Sequence, residues 1–563
     1  MPKLVRFFLR GRIAVLVAIG LAAAAAVAAL SPVKGGLVTP AAVLAAESKA
    51  VPAGPQIQAD APTLISMRTI IAQSRGPRAL RVEPKAPAIT NRPTMDIEKY
   101  KALKERAGKD AASAALGPID RVLSRQNYVG RVSPFGAAPP PDAAAPTPAA
   151  PTGVLGSFDG VSDLEACGPF CRPPDADMAV GNAHIATVTN SNLNIYTKLP
   201  FVQIASVRLN AFFGYDAEFA FDPRVLYDED WDRWIVYVEA FPQENGAQLI
   251  LFAVSTTSNP TGSYYRYYVN VNIFNNDDFW DFGQMGMDQD SLIFTANVFG
   301  PTDFRGARTF AVAKARTYNG LGWGVPLFIG LEGTLAPPRV RDQNASTYLV
   351  AAPPEGNVVW KYTMRDSSRP NATRLTLDAI PVPFYTVPAN ASQPGTANVL
   401  DTLDARFQNR STQVGNSIFQ VHTVALGPFP TPLWYEFDGT SNTIVQAGYF
   451  YRSLTSHDFN PHIAANSFFD VFVEWSATEP GAFRGAKGQP AEVLVAGRRS
   501  TDAAGTLGPA VSLFVSPTSY ELFRWGDYSA VAYDPVAPLQ AWTFNEKINN
   551  PFAWGTNIGH VTH

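Results

Sequence analysis

From Gly153 to the C-terminus, short runs rich in Val, Ile, Tyr, Phe, Trp and Thr alternate with clusters of Gly, Pro, Asn and Asp. Runs of that length and β-branched content, bounded by turn residues, predict strands throughout. Examples are DRWIVYV from Asp232 and FFDVFVE from Phe468. Further strands are predicted at 247–255 and 264–271, on either side of the turn SNPTG from Ser258. The pattern also repeats. FDPRV from Phe221 and FNPHI from Phe459 agree in type at four of five positions, and PPRV from Pro337 is a shorter echo. Related starts at Asp175, Asp222, Gly283, Pro338, Ala405, Pro461 and Asp527 are separated by 47, 61, 55, 67, 56 and 66 residues. Each interval holds four strands and their loops, the size of one blade of a β-propeller. The predicted fold is all-β, a propeller over 153–563. Seven blades are favoured, with six as the alternative if the last units share strands through closure by the N-terminal segment.

Four stretches carry a family likeness: PPDADMAVGNAHIATVTNSNLNIYTK from Pro173, DPRVLYDEDWDRWIVYV from Asp222, AVSTTSNPTGSYYRYYV from Ala253, and RWGDYSAVAYDP from Arg524 with WTFNE after it. They span most of 153–563, and in them the chain resembles the secreted bacterial sialidase-like β-propeller proteins. The resemblance implies a six- or seven-bladed propeller and carries no activity with it, because fold does not fix function.

The first 152 residues differ in character. A basic start (MPKLVRFFLRGR) is followed by an uncharged apolar run from Ile13 to Leu30 and then by small residues, including Val27/Ala29 and Val43/Ala45 at cleavage spacing. That order predicts a Sec-type signal peptide over 1–46, hence a secreted, periplasmic or cell-surface protein with no stable membrane span after cleavage. Residues 47–152 are expected to be a linker with one helix near 95–114, where acids precede bases as the helix dipole prefers. Seven prolines from Pro134 to Pro151 make the end of this stretch an extended spacer.

Charge separates the two parts. Residues 1–131 hold 20 Lys/Arg against 8 Asp/Glu, or +12, whereas the other 432 hold 25 against 40, or −15, within a net −3. An acidic body disfavours nucleic acid as a ligand. An extracellular glycan or protein is the expected partner of what reads as a monomer.

Chemistry is less legible. No Asp box of the form Ser-x-Asp-x-Gly-x-x-Trp is present, so true sialidase activity is not expected. Arg224, Arg339 and Arg406 stand at related blade starts, where convergence would offer carboxylate-binding guanidinium groups. A glycoside hydrolase or polysaccharide lyase would need paired carboxyls. The catalytic candidates are Asp175, Asp222, Asp404, Asp527 and Glu546, with Asp177, Glu218 and Asp281 beside them. An Asp ahead of a strand or of Pro equally serves as a turn cap, so each keeps that alternative. Arg224, Arg406, Trp525 and Tyr528 are ligand-binding candidates. Trp525 offers either a sugar-stacking face or packing at blade closure. Cys167 and Cys171, the two cysteines of the chain, are expected to form a disulfide after export. No zinc pattern is present and no cofactor is required. Calcium is the one metal considered, at the oxygen-rich loops of Asp228 and Asp230 and of Asp277 and Asp278.

Overall fold

The computed structural model describes residues 48–74, 97–115, 125, 150–166, 171–481 and 487–563. The expected signal peptide, Cys167 and most of the proline-rich spacer lie outside them. Among the described residues no helix is long and apolar enough to cross a membrane.

The chain is all-β and builds mostly antiparallel units of four strands in sequence order, except that Pro338–Val340 pairs in parallel with Phe279–Met287 and Ser411–Val414 and so joins units 3 and 5 in one sheet. Unit 1 runs from Asp177–Val180 to Val202–Arg208, unit 2 from Ala220–Asp228 to Ser263–Asn270, and unit 3 from Phe279–Met287 to Phe328–Leu331. Unit 4 runs from Pro338–Val340 to Arg374–Tyr385, unit 5 from Ser411–Val414 to Thr443–Tyr449, and unit 6 from His457–Ala465 to Val511–Val515. Unit 7 consists of Ala530–Asp534, Ala537–Asn550 and Ala553–Thr562. It is completed by a strand from the start of the domain, here β4 (Gly153–Asp159), which pairs with Ala553–Thr562 from Asn557↔Asp159 to Thr562↔Gly153.

The first strands of the units lie side by side in order, and the seventh returns to the first. The apolar cores follow the same circle, because sheets buried on both faces must share side chains with each neighbour. Phe212, Val225 and Trp234 fill the wedge between units 1 and 2, and Phe252, Trp280 and Phe294 that between units 2 and 3. Leu349 and Met364 sit between units 3 and 4, Tyr348 and Tyr435 between 4 and 5, and Trp434 and Trp475 between 5 and 6. Phe472 and Tyr533 join units 6 and 7, and Met178, Trp542 and Phe544 close units 7 and 1. Each such side chain removed from water contributes about 1.5–3 kcal/mol. The architecture is propeller-like, with a channel bounded by the first strands.

The repeated start motif now has a physical reason. One residue per unit is left-handed in units 1 to 6: Asp175 (φ 47°), Thr334 (53°) and Leu403 (53°) precede the first strand, whereas Asp222 (48°), Phe282 (59°) and Asn460 (51°) lie within it. Pairing registers slip at the same place in units 2, 3 and 6. These are bulges that turn the chain into the channel wall, and Asp and Asn are the non-glycine residues that tolerate them best.

Part of the expected linker is structured. Strands β1 (Lys49–Val51), β2 (Gln56–Ala59) and β3 (Thr63–Ser66) pair with the outer strands Arg374–Tyr385, Trp323–Pro326 and Ser263–Asn270. Three exposed edges are thereby covered, which removes templates for intermolecular pairing. Helix α1 (Met67–Ser74) follows, with Met67 and Ile70 in the core between units 1 and 2. Helix α2 (Ile97–Ala115) lies where the charge pattern places it. Its Lys104 donates to Pro388 O (2.9 Å), Thr402 Oγ1 (2.9 Å) and Leu403 O (2.7 Å). Arg125 is fully buried, 2.8 Å from Asp458 and over the rings of Phe429 and Tyr451.

Candidate functional site

The fold brings acids from distant parts of the sequence together. Asp175 Oδ1 accepts from the Asp527 amide at 2.8 Å, tying unit 7 to unit 1. Asp222 Oδ2 accepts from the Tyr528 hydroxyl at 2.7 Å, and the Asp222 amide donates to Asn190 Oδ1 at 2.9 Å. Arg224, two residues along the same strand, donates through Nε to Gly283 O at 2.8 Å. Its guanidinium lies 3.3 Å from the centroid of the Tyr528 ring, and both Nη atoms find no hydrogen-bond partner among the described residues.

Glu239 was not anticipated from sequence. It stands inside the second strand of unit 2, where VEA carries no motif. Its Oε1 accepts from Tyr237 Oη at 3.1 Å and its Oε2 from the Gly283 amide at 3.3 Å. A Cβ at Gly283 would stand 2.5 Å from Tyr237 Oη and 2.8 Å from Glu239 Oε1, so glycine is required there. Asp222, Glu239 and Asp281 each offer an oxygen, all within 4.8 Å of one another.

Burial, and then the charge of Asp527, pushes the Asp222 carboxyl up to about 6. Burial followed by Asp222 pushes Asp281 up to about 7. Glu239 rises well above the usual range through burial and then the Asp222 and Asp281 charges. Asp175 rises likewise through burial, Asp527 and Asp222. Glu546, whose Oε2 accepts from the Gly526 amide at 2.6 Å, is raised chiefly by burial. Desolvation disfavours the charged carboxylate, and neighbouring acids add to it.

Other candidates are engaged elsewhere. Asp404 pairs with Arg406 at 2.7 and 2.9 Å. Arg524 bridges Asp401 (2.9 Å) and Asp527 (2.7 Å). Asp177 grips Arg410 through both oxygens and accepts from the Val225 amide at 3.0 Å, a structural role. Glu218 lies in the loop before unit 2, its carbonyl accepting from Asn210 at 2.8 Å. The three arginines considered for one carboxylate do not meet. Arg224 lies on Tyr528, Arg406 is held by Asp404, and Arg339 contacts Glu229 at 3.4 Å. Trp525 is 1% exposed, packed edge-on against Phe459 and Tyr520, so its faces are taken up by the core and give no sugar platform.

The expected calcium loops are neutralised by cations distant in sequence. Lys314 Nζ and Tyr318 Oη both lie 2.7 Å from Asp228 Oδ2, and Asp278 pairs with Arg305 and Arg308. Asp230 and Asp277 are exposed in the same loops. Cys171 is buried, and its expected partner Cys167 lies outside the described residues.

No family model matches the chain. No curated protein matches it either. Solved structures with a similar fold include an exo-β-1,3-galactanase from Phanerochaete chrysosporium with galactose, at 9% identity and TM-score 0.29, covering 69% of this chain and 94% of that one. The WD40 domain of SCAP from fission yeast is similar at 9% identity and TM-score 0.30, over 67% and 81% of the two chains. A protein of unknown function from Dyadobacter fermentans is similar at 10% identity and TM-score 0.33, over 62% and 95%.

Proposed function

We propose that the chain is an exported seven-bladed β-propeller that binds an extracellular glycan at the acidic cluster around Asp222. The observation that carries this reading is the mixture of groups there. Buried Arg224 keeps Nη donors that no described residue accepts, beside Asp222, Glu239 and Asp281, whose carboxyls are all pushed above the usual carboxylate range. A simple anion is repelled by the acids and a simple cation by Arg224. Hydroxyl groups, which donate and accept, match both. Export rests on the basic and apolar N-terminus.

The test is a thermal-shift and calorimetric screen of the full chain against neutral and acidic polysaccharides and their oligosaccharides. A neutral saccharide should raise the melting temperature, and Arg224→Met should abolish the shift. A response confined to metal ions or simple salts would end the glycan reading.

A second reading, a propeller glycoside hydrolase, is favoured by the 4.8 Å clustering of Asp222, Glu239 and Asp281 with Asp222 and Asp281 titrating near neutrality. One protonated and one ionised carboxyl side by side form an acid and base pair. Release of new reducing ends from the same panel, lost in Asp222→Asn and Asp281→Asn with binding retained, would replace the first reading by the second.

A further inference from the structure

A second cluster, bounded by the same first strands, is cationic. A cavity within it is lined by Arg339 and Arg341 of unit 4, Arg410 and Thr412 at the start of unit 5, and His462 of unit 6. Ala179, Ala464 and Ala532 face the same cavity from units 1, 6 and 7, and their small side chains leave it open.

The guanidinium groups are only partly compensated. Arg410 is matched by Asp177, both Nη atoms lying 2.6–3.0 Å from its oxygens. Arg339 and Arg341 share a single carboxylate, Glu229, at 3.4 and 3.1 Å. The ion pairs therefore supply two carboxylates to three guanidinium groups, with Asp230 adding a charge that acts on Arg341 without pairing with it. Arg341 Nε is buried without a hydrogen-bond partner among the described residues. Burial and then the charge of Arg339 push the Arg341 guanidinium down to about 10. Burial also lowers Arg410, with Arg224 and Arg339 acting against its charge. His462 adds no positive charge: burial, Arg410 and Arg224 hold it well below its ordinary value, and its Nδ1 accepts from the Val531 amide at 3.1 Å.

Three arginines around one cavity of small residues repel one another unless a further negative group is present. We propose that this cavity is a binding site for a compact oxyanion, a sulfate, phosphate or carboxylate group, held by Arg339 and Arg341 with Arg410 completing the positive wall. Planar guanidinium groups hold such oxygens in paired hydrogen bonds, and Thr412 supplies a hydroxyl beside them. The residues that line it are not those of the acidic cluster.

The experiment uses the full chain at pH 7 and constant ionic strength, comparing sodium sulfate, phosphate, acetate and glucuronate with sodium chloride by thermal shift and calorimetry. At least one oxyanion should bind saturably and raise the melting temperature where chloride does not. Arg341→Gln and Arg339→Gln should each weaken that affinity ten-fold or more. Binding of sulfate or phosphate alone would identify an inorganic or esterified ligand, and tighter binding of glucuronate than of acetate an acidic sugar. If either glutamine variant fails to fold, Thr412→Glu places a carboxylate in the cavity and should abolish oxyanion binding. A melting temperature that follows ionic strength whatever the anion, or unchanged affinity in both glutamine variants, would overturn the proposal.

Discussion

Tyr528 joins the seventh unit to the second, its hydroxyl 2.7 Å from Asp222 Oδ2 and its ring beneath the Arg224 guanidinium. One side chain thus stabilises the Asp222 carboxylate and holds the arginine beside it. Tyr528→Phe removes the donor and leaves a buried carboxyl short of a partner, with an expected loss of about 1–3 kcal/mol. Asp222 should also become harder to ionise, since the Tyr528 hydrogen bond lowers its pKa. Denaturant unfolding at pH 7 and NMR titration of the carboxyl check both.

The clustered carboxyls set a pH dependence. Asp222 and Asp281 hold protons more tightly when folded, up to about 6 and about 7. Their contribution to stability is full below the unfolded value of about 4 and is lost as pH rises through the folded values. Lys104 acts in the opposite sense in a higher window. Burial lowers it to about 8, so its contribution grows as pH rises from there toward the ordinary lysine value. Melting temperature against pH should therefore fall from pH 4 to 7, with Asp222→Asn and Asp281→Asn flattening that limb. Lys104→Met should flatten a rise above pH 8.

Gly283 leaves no room for a methyl group between Tyr237 and Glu239. Gly283→Ala should displace Glu239 and lower stability by about 1–3 kcal/mol, the usual range for overpacking. The shift in urea midpoint measures it. Full stability in the variant would show that the carboxylate cluster tolerates expansion.

Arg125 and Asp458 form a buried pair at 2.8 Å. Arg125→Met strands the aspartate and is expected to cost about 3–5 kcal/mol, while the double change with Asp458→Asn should recover part of that loss. A thermodynamic cycle of the four proteins reads the coupling.

Deleting residues 47–74 removes β1, β2 and β3 and bares the outer strands they cover. The shortened chain should remain folded at low concentration yet self-associate as concentration rises. Light scattering against concentration distinguishes this from simple unfolding.

The architecture was legible because a left-handed residue recurs before or within the first strand in units 1 to 6. At Asp175, Asp222 and Asn460 that residue is Asp or Asn, which writes the repeat into the sequence. Phe282, Thr334 and Leu403 take the same conformation without that marker, so their units begin less visibly. The site was half legible. Asp222 and Tyr528 stand in motifs, but Glu239 reads as an interruption of an apolar strand and gains its meaning only from Gly283, 44 residues on. The counter-charge of Asp228, Lys314, is likewise remote in sequence. Trp525 kept two readings because aromatic content does not say which way a ring faces, and here Phe459 and Tyr520 enclose it.

Strand β4 gives the molecule a clasp. Residues 153–159 find their place only beside 553–562, so a chain emerging N-terminus first holds one half of its fastening unused until almost the whole domain has followed. Afterwards, a nick in a loop between two units leaves the circle fastened by its buried wedges, whereas losing the seven residues of β4 unfastens it.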